Sequence, residues 1–417
     1  MVFQLKKMVT FYLKMSTLTH CRICKSDRLV DILNLGNQGL ASRFPNKGEL
    51  DPPLVPLILS KCENPRCCLV QLKHTVTNTE LYEHAYGYRS GINATMTNHL
   101  TDLVKTIESR VVLHSGDVVL DIGSNDATLL KSYKTENIKK FGIDPTGIQF
   151  EEYYTNDITL IPTYFTADKF NLKAKVITSI SMFYDLPDPV QFMKDIKTIL
   201  HFDGMWVIEQ SYLPEMLKTN SLDTICHEHL EYYAFKQILL MAEMANLQVL
   251  DVEFNDCNGG SFRVFLSHPG AYKQNMNTIS KIISDESLMQ LDTLRPFEEF
   301  KINCEKVRSD LLKFLDDHES VYIYGASTKG NTLLQYCNID TTKVVAAVER
   351  NPRKFGCRTP ITNIPIISET EMRLANPKCL LVLPWHFKKE FIQRENEFLK
   401  NGGTIVFPLP SLEIVTM

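Results

Sequence analysis

Short apolar runs alternate with predicted helices through the middle of the chain. Each run is four or five residues long, which is typical of a parallel strand buried on both faces. Helices are predicted at 189–200 and 234–246. The predicted strands are Val118–Ile122, Phe141–Asp144, Val176–Ser179, Met205–Glu209 and Val249–Glu253. Because strands and helices alternate over about 150 residues, we predict a doubly wound α/β sheet.

A second alternation begins near residue 321. The predicted strand Val321–Tyr324 leads into a turn from Gly325 to Gly330, and a helix is predicted from Asn331 onward. Further strands are predicted at Val344–Glu349, Leu380–Pro384 and Thr404–Pro408. This pattern predicts a second, Rossmann-like unit. N–H groups at the start of its first helix favour a phosphate and Lys329 adds a charge, although the turn could simply connect strand to helix.

Composition narrows the class of protein. The chain has 417 residues, of which 44% are hydrophobic and 23% charged, and its net charge is −4. This length accommodates two to four domains of roughly 100–200 residues each. No stretch reaches the roughly 18 apolar residues that span a bilayer, and no basic excess indicates nucleic acid or a membrane surface. Residues 1–17 contain three lysines and lack a cleavage site, so we expect a leader without secretory function and a cytoplasmic protein.

Five of the 11 cysteines lie within the first 70 residues. Residues 21–24 read Cys-Arg-Ile-Cys, and residues 62–68 read Cys-Glu-Asn-Pro-Arg-Cys-Cys. Two thiolate pairs on tight turns can close a tetrahedral zinc site. The predicted ligands are Cys21, Cys24, Cys62 and Cys67, with Cys68 as the competing fourth ligand and unrelated buried cysteines as the alternative. The zinc would be structural and would organise a module with too little core of its own.

The first central strand ends in a turn that suits a nucleoside cofactor. Residues 117–126 read Asp-Val-Val-Leu-Asp-Ile-Gly-Ser-Asn-Asp, and their single glycine, Gly123, allows close approach of a ligand. Asp144 ends the next strand, where a carboxylate can accept both hydroxyls of an adenosine ribose. The Gly-x-Gly-x-x-Gly of nicotinamide sites is absent from the turn, which favours S-adenosylmethionine (SAM). The residues assigned to SAM are Asp121, Gly123, Ser124, Asn125, Asp144 and Ser181.

Candidate acids and bases follow in the segment Cys-His-Glu-His at 226–229. It lies beyond a strand end, on the side where α/β sheets bind ligands. A neutral imidazole can abstract a proton and a neighbouring carboxylate can orient it, so His227, Glu228 and His229 are the candidate catalytic residues. The alternatives are a zinc site, for which His-x-His supplies only two ligands, and two surface histidines beside a structural glutamate. A tight turn at 258–263 is near enough to line the same cleft.

The motifs occur in a recognisable order from about residue 20 to the end. To those above are added Tyr-Gly-Tyr-Arg-Ser-Gly at 86–91, Asn-Gly-Gly-Ser-Phe-Arg-Val at 258–264, Tyr-Gly-Ala-Ser-Thr-Lys-Gly-Asn-Thr at 324–332 and Leu-Val-Leu-Pro-Trp-His-Phe at 381–387. In this order they resemble the zinc-containing, SAM-dependent C-methyltransferases of nucleotide-linked deoxysugars. The resemblance implies a zinc-binding module at 18–78, a helical connection at 79–110, a class I methyltransferase domain at 111–270 and a Rossmann-like nucleotide-sugar domain at 271–417. Residues 1–17 remain as the leader.

The resemblance also implies a reaction. Family members methylate C3 of a dTDP-linked 4-keto-6-deoxyhexose: a histidine removes the C3 proton, and the enolate attacks the methyl of SAM. The matched segment places this base on His229. The family's tyrosine is replaced by Cys226 here, and Tyr184 or Tyr232 could supply the phenol that is lost. The family's Asn and His correspond to Ser181 and Asp185. The residues assigned to the substrate are Tyr88, Ser90, Cys226, Asn258, Ser261, Gly325, Thr328, Lys329, Asn331 and Thr332.

Two other functions fit the same residues. A sugar O-methyltransferase needs only a base for a hydroxyl group, and His229 could serve. A non-catalytic family member would bind the nucleotide sugar without reaction. In each case we expect a nucleotide-diphosphate sugar as the ligand, and a monomer or weak homo-oligomer.

Overall fold

The computed structural model describes residues 15–77, 81 and 88–417. Its amino-terminal strands are β1 Met15–Thr17, β2 Leu29–Gly39, β3 Leu54–Cys62, β4 Val70–Leu72 and β5 His74–Val76. Residues 1–14 of the predicted leader lie outside the described residues. The leader prediction is wrong for residues 15–17, since β1 pairs antiparallel with β5. These three residues thus join the fold through backbone hydrogen bonds, which a side-chain pattern does not show.

The central region contains the predicted strands and helices. Its strands are β6 Val118–Ile122, β7 Lys139–Ile143, β8 Ile158–Ile161, β9 Ala174–Ile180, β10 Leu200–Ser211, β11 Glu231–Tyr232, β12 Gln248–Asn255 and β13 Ser261–Ser267. Its helices are α1 Ala94–Arg110, α2 Thr128–Lys131, α3 Pro189–Ile199, α4 Leu213–Lys218 and α5 Phe235–Ala245. All five predicted strands and both predicted helices are confirmed.

The central sheet has the strand order β12-β13-β10-β9-β6-β7-β8. The five neighbouring strands β10, β9, β6, β7 and β8 run parallel to one another, and β13 runs antiparallel to both of its neighbours. The direction of the order reverses between β6 and β9. In open α/β sheets, ligands bind at the carboxyl ends of the strands at such a switch point. The turn after β6 is therefore in the position expected of a cofactor site.

Strand β11 does not belong to the central sheet. It pairs antiparallel with β4, so the amino-terminal sheet has the order β11-β4-β3-β2. Glu231 lies opposite Gln71, and Tyr232 lies opposite Val70. The segment that follows the candidate catalytic residues is thus a strand of the cysteine-rich module, although about 150 residues separate the two along the chain.

The carboxy-terminal strands are β14 Val321–Tyr324, β15 Ala347–Glu349, β16 Ile366–Ser368, β17 Cys379–Val382, β18 Thr404–Phe407 and β19 Glu413–Val415. Their order is β16-β15-β14-β17-β18-β19, in which only the contact between β18 and β19 is antiparallel among the described residues. This is the strand order of a Rossmann sheet. The helices are α6 Met276–Leu288, α7 Arg295–Asp316, α8 Thr328–Cys337, α9 Glu369–Ala375, α10 Lys388–Arg394 and α11 Asn396–Lys400.

Two details of this region differ from the prediction. Helix α8 begins at Thr328 rather than Asn331, because Ser327 caps it by accepting a hydrogen bond from the Gly330 N–H. Helix α6 lies beyond residue 270, yet Ile279 and Ile282 pack into the core of the central sheet. The core of the carboxy-terminal sheet is instead covered by α7 together with α8, α9 and α11.

One hydrophobic cluster joins the three regions, in addition to the separate core of the central sheet. A single cluster of buried residues includes Leu57 of β3, Met216 of α4, and Leu333 and Leu381 of the carboxy-terminal sheet region. Among the described residues, no helix combines the length and hydropathy that crossing a bilayer requires.

Candidate active site and zinc centre

Four cysteine sulfurs converge at the end of the amino-terminal sheet. The Sγ atoms of Cys21 and Cys67 lie 3.6 Å apart, those of Cys24 and Cys62 lie 3.5 Å apart, and all four lie within 4.8 Å of one another. Sulfurs about 2.3 Å from a tetrahedral zinc are about 3.8 Å apart, so this donor set fits Zn²⁺. None of the four forms a disulfide, so all four sulfurs are available to bind zinc as thiolates.

Cys68, the competing fourth ligand, points elsewhere. Its backbone adopts a positive φ of 53°, and its thiol lies 3.5 Å from the Asn64 carbonyl and 3.6 Å from the Pro65 carbonyl. This rotation follows from the turn at 65–67, which aims the Cys67 sulfur at the cluster. Geometry therefore selects Cys67 as the fourth member of the set.

The turn after β6 is shaped by left-handed backbone and by an overlying segment. Gly123 has a φ of +79°, and Met182 packs within 3.0 Å of the position that a Cβ there would occupy. Asn125 accepts a hydrogen bond from the Ser90 N–H at 2.9 Å, and its amide donates to the Tyr88 carbonyl at 3.2 Å. Tyr88 and Ser90, assigned to the substrate, thus lie directly over the candidate SAM turn.

The other residues assigned to SAM surround this turn. The Ser124 hydroxyl is 2.8 Å from the Tyr154 hydroxyl, and the Ser181 N–H donates to the Glu209 carbonyl at 2.7 Å. Asp121 is buried in β6 and accepts a hydrogen bond from Thr178 at 2.6 Å. Burial, together with the nearby charge of Asp144, raises the pKa of Asp121 to about 7. With this pKa the Asp121 carboxyl group is only partly ionised near pH 7, and a nearby ammonium group would favour its ionised form.

Asp144 is already engaged by the protein. Its carboxylate accepts from the Asn125 N–H at 2.7 Å, from the Thr146 N–H at 2.6 Å and from the Thr146 hydroxyl at 2.7 Å. A carboxylate offers about four lone-pair sites, so about one remains for a ribose hydroxyl. Asp144 therefore has a double role, since it shapes the turn and leaves room for one further hydrogen bond.

We predict that Asp144→Ala weakens SAM binding at least about tenfold, because a ribose hydroxyl and the Asn125 N–H both lose their acceptor. Calorimetric titration with SAM measures the effect. Thr146→Val is the matched control, since it removes one hydrogen bond of the turn and leaves the carboxylate in place. Unchanged SAM affinity in Asp144→Ala would remove Asp144 from the site.

The segment 226–229 is a turn rather than an extended strand, and the His229 N–H donates to the Cys226 carbonyl at 3.2 Å. The alternation of faces expected for an extended segment therefore does not apply. His229 Nδ1 lies 2.7 Å from the Thr224 carbonyl. Because a carbonyl only accepts, Nδ1 carries the proton, and in the neutral ring Nε2 keeps a free lone pair. Burial lowers the pKa of His229 to about 4, which keeps the imidazole neutral at pH 7.

The neighbours of His229 are the residues that sequence reasoning singled out. The Tyr184 ring centroid is 4.3 Å from that of His229, and Tyr184, His229 and Tyr232 line one small cavity. His227 points away, and its Nε2 donates to the Val55 carbonyl at 3.2 Å. Cys226 is buried, and burial together with the Glu228 charge raises the pKa of its thiol. The structure thus places both candidate phenols beside His229 and turns His227 toward β3.

Several buried polar atoms near this segment lack a hydrogen-bond partner among the described residues. They include both carboxylate oxygens of Glu228, Nδ1 of His227, Oδ1 of Asp223 and Nδ1 of His386. Buried polar groups are nearly always satisfied by protein, water or ligand. Water or a ligand can supply the hydrogen bonds that these groups lack, and we call the buried polar region around His229 the chamber.

The carboxy-terminal region lies near this chamber, since the charge of Lys329 acts on both His229 and Asp223. Lys329 donates to the Asn258 carbonyl at 2.8 Å, and the Trp385 ring packs within 2.8 Å of where a Cβ on Gly259 would lie. Burial, with a smaller contribution from the Lys329 charge, lowers the pKa of His386 to about 3. His386 was missed by the sequence analysis, although it lies in the quoted motif at 381–387.

The remaining substrate assignments divide into two groups. Gly325 and Thr328 flank Lys329, and Gly325 packs against Pro384 with a φ of +96°. Asn331 and Thr332 are fully buried, and the Asn331 amide donates to the Ala41 carbonyl at 2.6 Å. Ser261 donates to the Cys257 carbonyl at 2.9 Å and completes the turn before β13. Of these residues, Lys329 lies near His229 and Asp223, whereas Asn331 lies in the contact with the amino-terminal module.

Comparisons with known proteins cover nearly the whole chain. The family model "Putative zinc binding domain" matches residues 21–82, "Methyltransferase domain" matches 92–252, and "C-methyltransferase C-terminal domain" matches 256–410. C-methyltransferase NovU from Streptomyces niveus is 28% identical over 411 residues, which cover 95% of this chain and 96% of that protein.

The chain is a SAM-dependent methyltransferase with the domain composition of the zinc-containing C-methyltransferases.

Solved structures of other methyltransferases resemble parts of this methyltransferase. Mitomycin 7-O-methyltransferase MmcR is 13% identical, with a TM-score of 0.35, over 42% of this chain and 55% of that one. A SAM-dependent methyltransferase from Clostridium acetobutylicum is 11% identical, with a TM-score of 0.32, over 42% of this chain and 92% of that one. The assignment rests on the family models and NovU. Its cofactors are SAM and zinc, for which the methyltransferase domain and the four-cysteine cluster provide the sites.

Proposed function

We propose that the methyltransferase acts at C3 of a nucleotide-linked 4-keto-6-deoxyhexose, with His229 as the base. The observation that carries this proposal is the His229 imidazole, whose Nδ1 is bound to the Thr224 carbonyl. Nε2 is thereby left as the basic nitrogen in a buried chamber rich in unpaired polar atoms. The name of the relative NovU, a C-methyltransferase, supports transfer to carbon.

The proposed chemistry assigns each proton. The keto group at C4 acidifies the C3–H bond, and His229 Nε2 takes that proton while the bonding electrons enter the enolate. The nearby charge of Glu228 favours the imidazolium that forms, since it opposes the lowering of the His229 pKa by burial. Bound SAM would supply an electrophilic methyl group. As the enolate carbon takes up this methyl, the electrons of the broken S–CH₃ bond would return to sulfur, and S-adenosylhomocysteine would leave. Tyr184 or Tyr232 would hydrogen-bond the enolate oxygen in place of the phenol that Cys226 lacks.

A direct assay tests the proposal. The enzyme is incubated with SAM and a panel of dTDP-linked 4-keto-6-deoxyhexoses, and products are weighed by mass spectrometry. We expect a gain of one methylene and, without SAM, exchange of the C3 proton in deuterium oxide. Methyl transfer without exchange would instead identify an O-methyltransferase. Nucleotide-sugar binding with neither reaction would identify a binding protein.

Lys329 is proposed to bind the phosphates of the substrate. Its charge acts on His229 and Asp223 from the start of α8, where helix N–H groups also favour an anion. We predict that Lys329→Ala raises KM for the nucleotide sugar about tenfold, because one charged hydrogen bond is lost. The rise in KM should exceed the fall in kcat, as expected for binding shared by ground and transition states.

The matched control is Lys236→Ala. Lys236 also donates to a backbone carbonyl of another region, that of Pro65 at 2.6 Å, but it lies on α5 away from the chamber. Its KM should equal that of the wild type. Crystals soaked with dTDP in which the diphosphate lies away from Lys329 would contradict the assignment.

A further inference from the structure

The orientation of His229 depends on one short turn. Leu222–Thr224 is buried, and its last carbonyl is the acceptor for His229 Nδ1. If this carbonyl moved, the imidazole would lose the contact that decides which nitrogen carries the proton. The position of the turn therefore decides whether Nε2 is available as a base.

The turn is held by the carboxy-terminal region rather than by the central sheet. Trp385 donates from its indole N–H to Asp223 Oδ2 at 3.0 Å. Both side chains are buried, with Asp223 only 2% and Trp385 8% exposed. Helix α8, which carries Lys329, packs against the same turn. Burying a carboxylate without hydrogen-bond partners costs free energy, so the hydrogen bond from the indole N–H stabilises Asp223 in its observed position.

Other interactions around Asp223 also indicate that it links Trp385 to the turn. Its second oxygen, Oδ1, has no hydrogen-bond partner among the described residues. Burial raises the pKa of Asp223, and the nearby charge of Lys329 opposes this rise. The Trp385 ring is fixed by packing on Gly259, whose φ of +90° disfavours a side chain there. The indole is therefore a rigid donor, and Asp223 is the link between it and the turn.

We propose that Trp385 and Asp223 are positioning residues for the base: the carboxy-terminal region fixes the turn Leu222–Thr224 and, through Thr224, the tautomer of His229. This inference rests on the proposed role of His229. It gives the motif at 381–387 a role in catalysis through Asp223 rather than through contact with the substrate. It also makes proton abstraction depend on the docking of the region that would bind the nucleotide.

The chain offers a matched pair of variants, because its sequence contains two tryptophans. Trp385→Phe removes the N–H that meets Asp223 and keeps a ring. Trp206→Phe removes an equivalent N–H in the central core, where Trp206 is fully buried and donates to Ser179 at 3.2 Å. Both variants lose one buried hydrogen bond, but only the first acts on the turn that holds His229.

Two readouts are measured in the full-length enzyme. Deuterium exchange at C3 of a dTDP-linked 4-keto-6-deoxyhexose reports proton abstraction, and ¹H–¹⁵N correlation spectra of histidine-labelled enzyme report the His229 tautomer without substrate. The His229 signal is identified by its loss in His229→Ala. We expect Trp385→Phe to slow exchange about tenfold and to mix the tautomers, with SAM affinity unchanged. Trp206→Phe should lower the melting temperature and leave both readouts at their wild-type values.

The outcomes separate this inference from the proposed function. If His229→Ala retains exchange, the role of His229 as base fails. If His229→Ala abolishes exchange while Trp385→Phe leaves exchange and tautomer unchanged, the base is correct and the positioning role of Trp385 is wrong. Equal slowing of exchange in Trp385→Phe and Trp206→Phe would also overturn the inference, because it would indicate general loss of stability.

Discussion

His229→Ala should lower kcat by about 10²–10⁴, the usual cost of losing a general base. The reason is local: Nδ1 is committed to the Thr224 carbonyl, so Nε2 is the nitrogen that can accept a proton. SAM affinity should stay near the wild-type value, because the residues around the turn after β6 are untouched. Deuterium exchange at C3 in the absence of SAM should fall with kcat.

The control for this variant is His268→Ala. His268 also meets a backbone carbonyl, that of Leu200 at 3.3 Å, but it lies at the far end of β13. Its kcat should remain within about twofold of the wild type, as for most substitutions away from a site. Full turnover and exchange in His229→Ala would transfer the role of base to His227, Tyr184 or Tyr232.

The pH profile provides a second test of the same residue. Since burial lowers the pKa of His229 to about 4 from the ordinary 6.5, the base should stay deprotonated down to about pH 5. The acid limb of kcat/KM should therefore have its midpoint near pH 4. Between pH 6.5 and 4 the unfolded chain binds more protons at His229 than the folded chain does. The free energy of unfolding should therefore decrease as the pH falls through this range. A midpoint at 6.5 would mean that the base is exposed to water.

Cys67→Ser should release zinc and unfold the amino-terminal module. Apparent binding free energies of structural zinc are about 10–16 kcal/mol, and in small modules this energy is part of folding. Metal content by mass spectrometry and a fall in the melting temperature measure the effect. Cys68→Ser is the matched control at the neighbouring position, since its thiol contacts the Asn64 and Pro65 carbonyls instead of the sulfur cluster.

Release of zinc should also impair catalysis. Strand β4 follows the second cysteine pair directly, and it pairs with β11 just beyond His229. Dialysis against a chelator should therefore lower kcat together with metal content, and added Zn²⁺ should restore both. Zinc retained in Cys67→Ser but lost in Cys68→Ser would reverse the ligand assignment.

Local features of this fold could be predicted, and long-range ones could not. The cysteine pairs and the turn at Gly123 are specified by neighbours in sequence, so spacing alone indicated their chemistry. The pairing of Glu231 with Gln71 and the contact of Trp385 with Asp223 join residues more than 150 positions apart. Periodicity within one strand or helix carries no information about such partners. Asn331 shows the limit, since its motif suggested a ligand and its amide binds the Ala41 carbonyl.

The placement of β11 in the amino-terminal sheet constrains how this enzyme can be engineered or recombined. A chimera that exchanges the first 80 or so residues between relatives must keep the register in which Val70 faces Tyr232 and Gln71 faces Glu231. A slip of one residue would rotate the Glu231 side chain away from Arg22, whose guanidinium lies 3.4 Å from it in the interior. Successful module swaps should therefore transfer the segment around residues 226–233 along with the donor's zinc module.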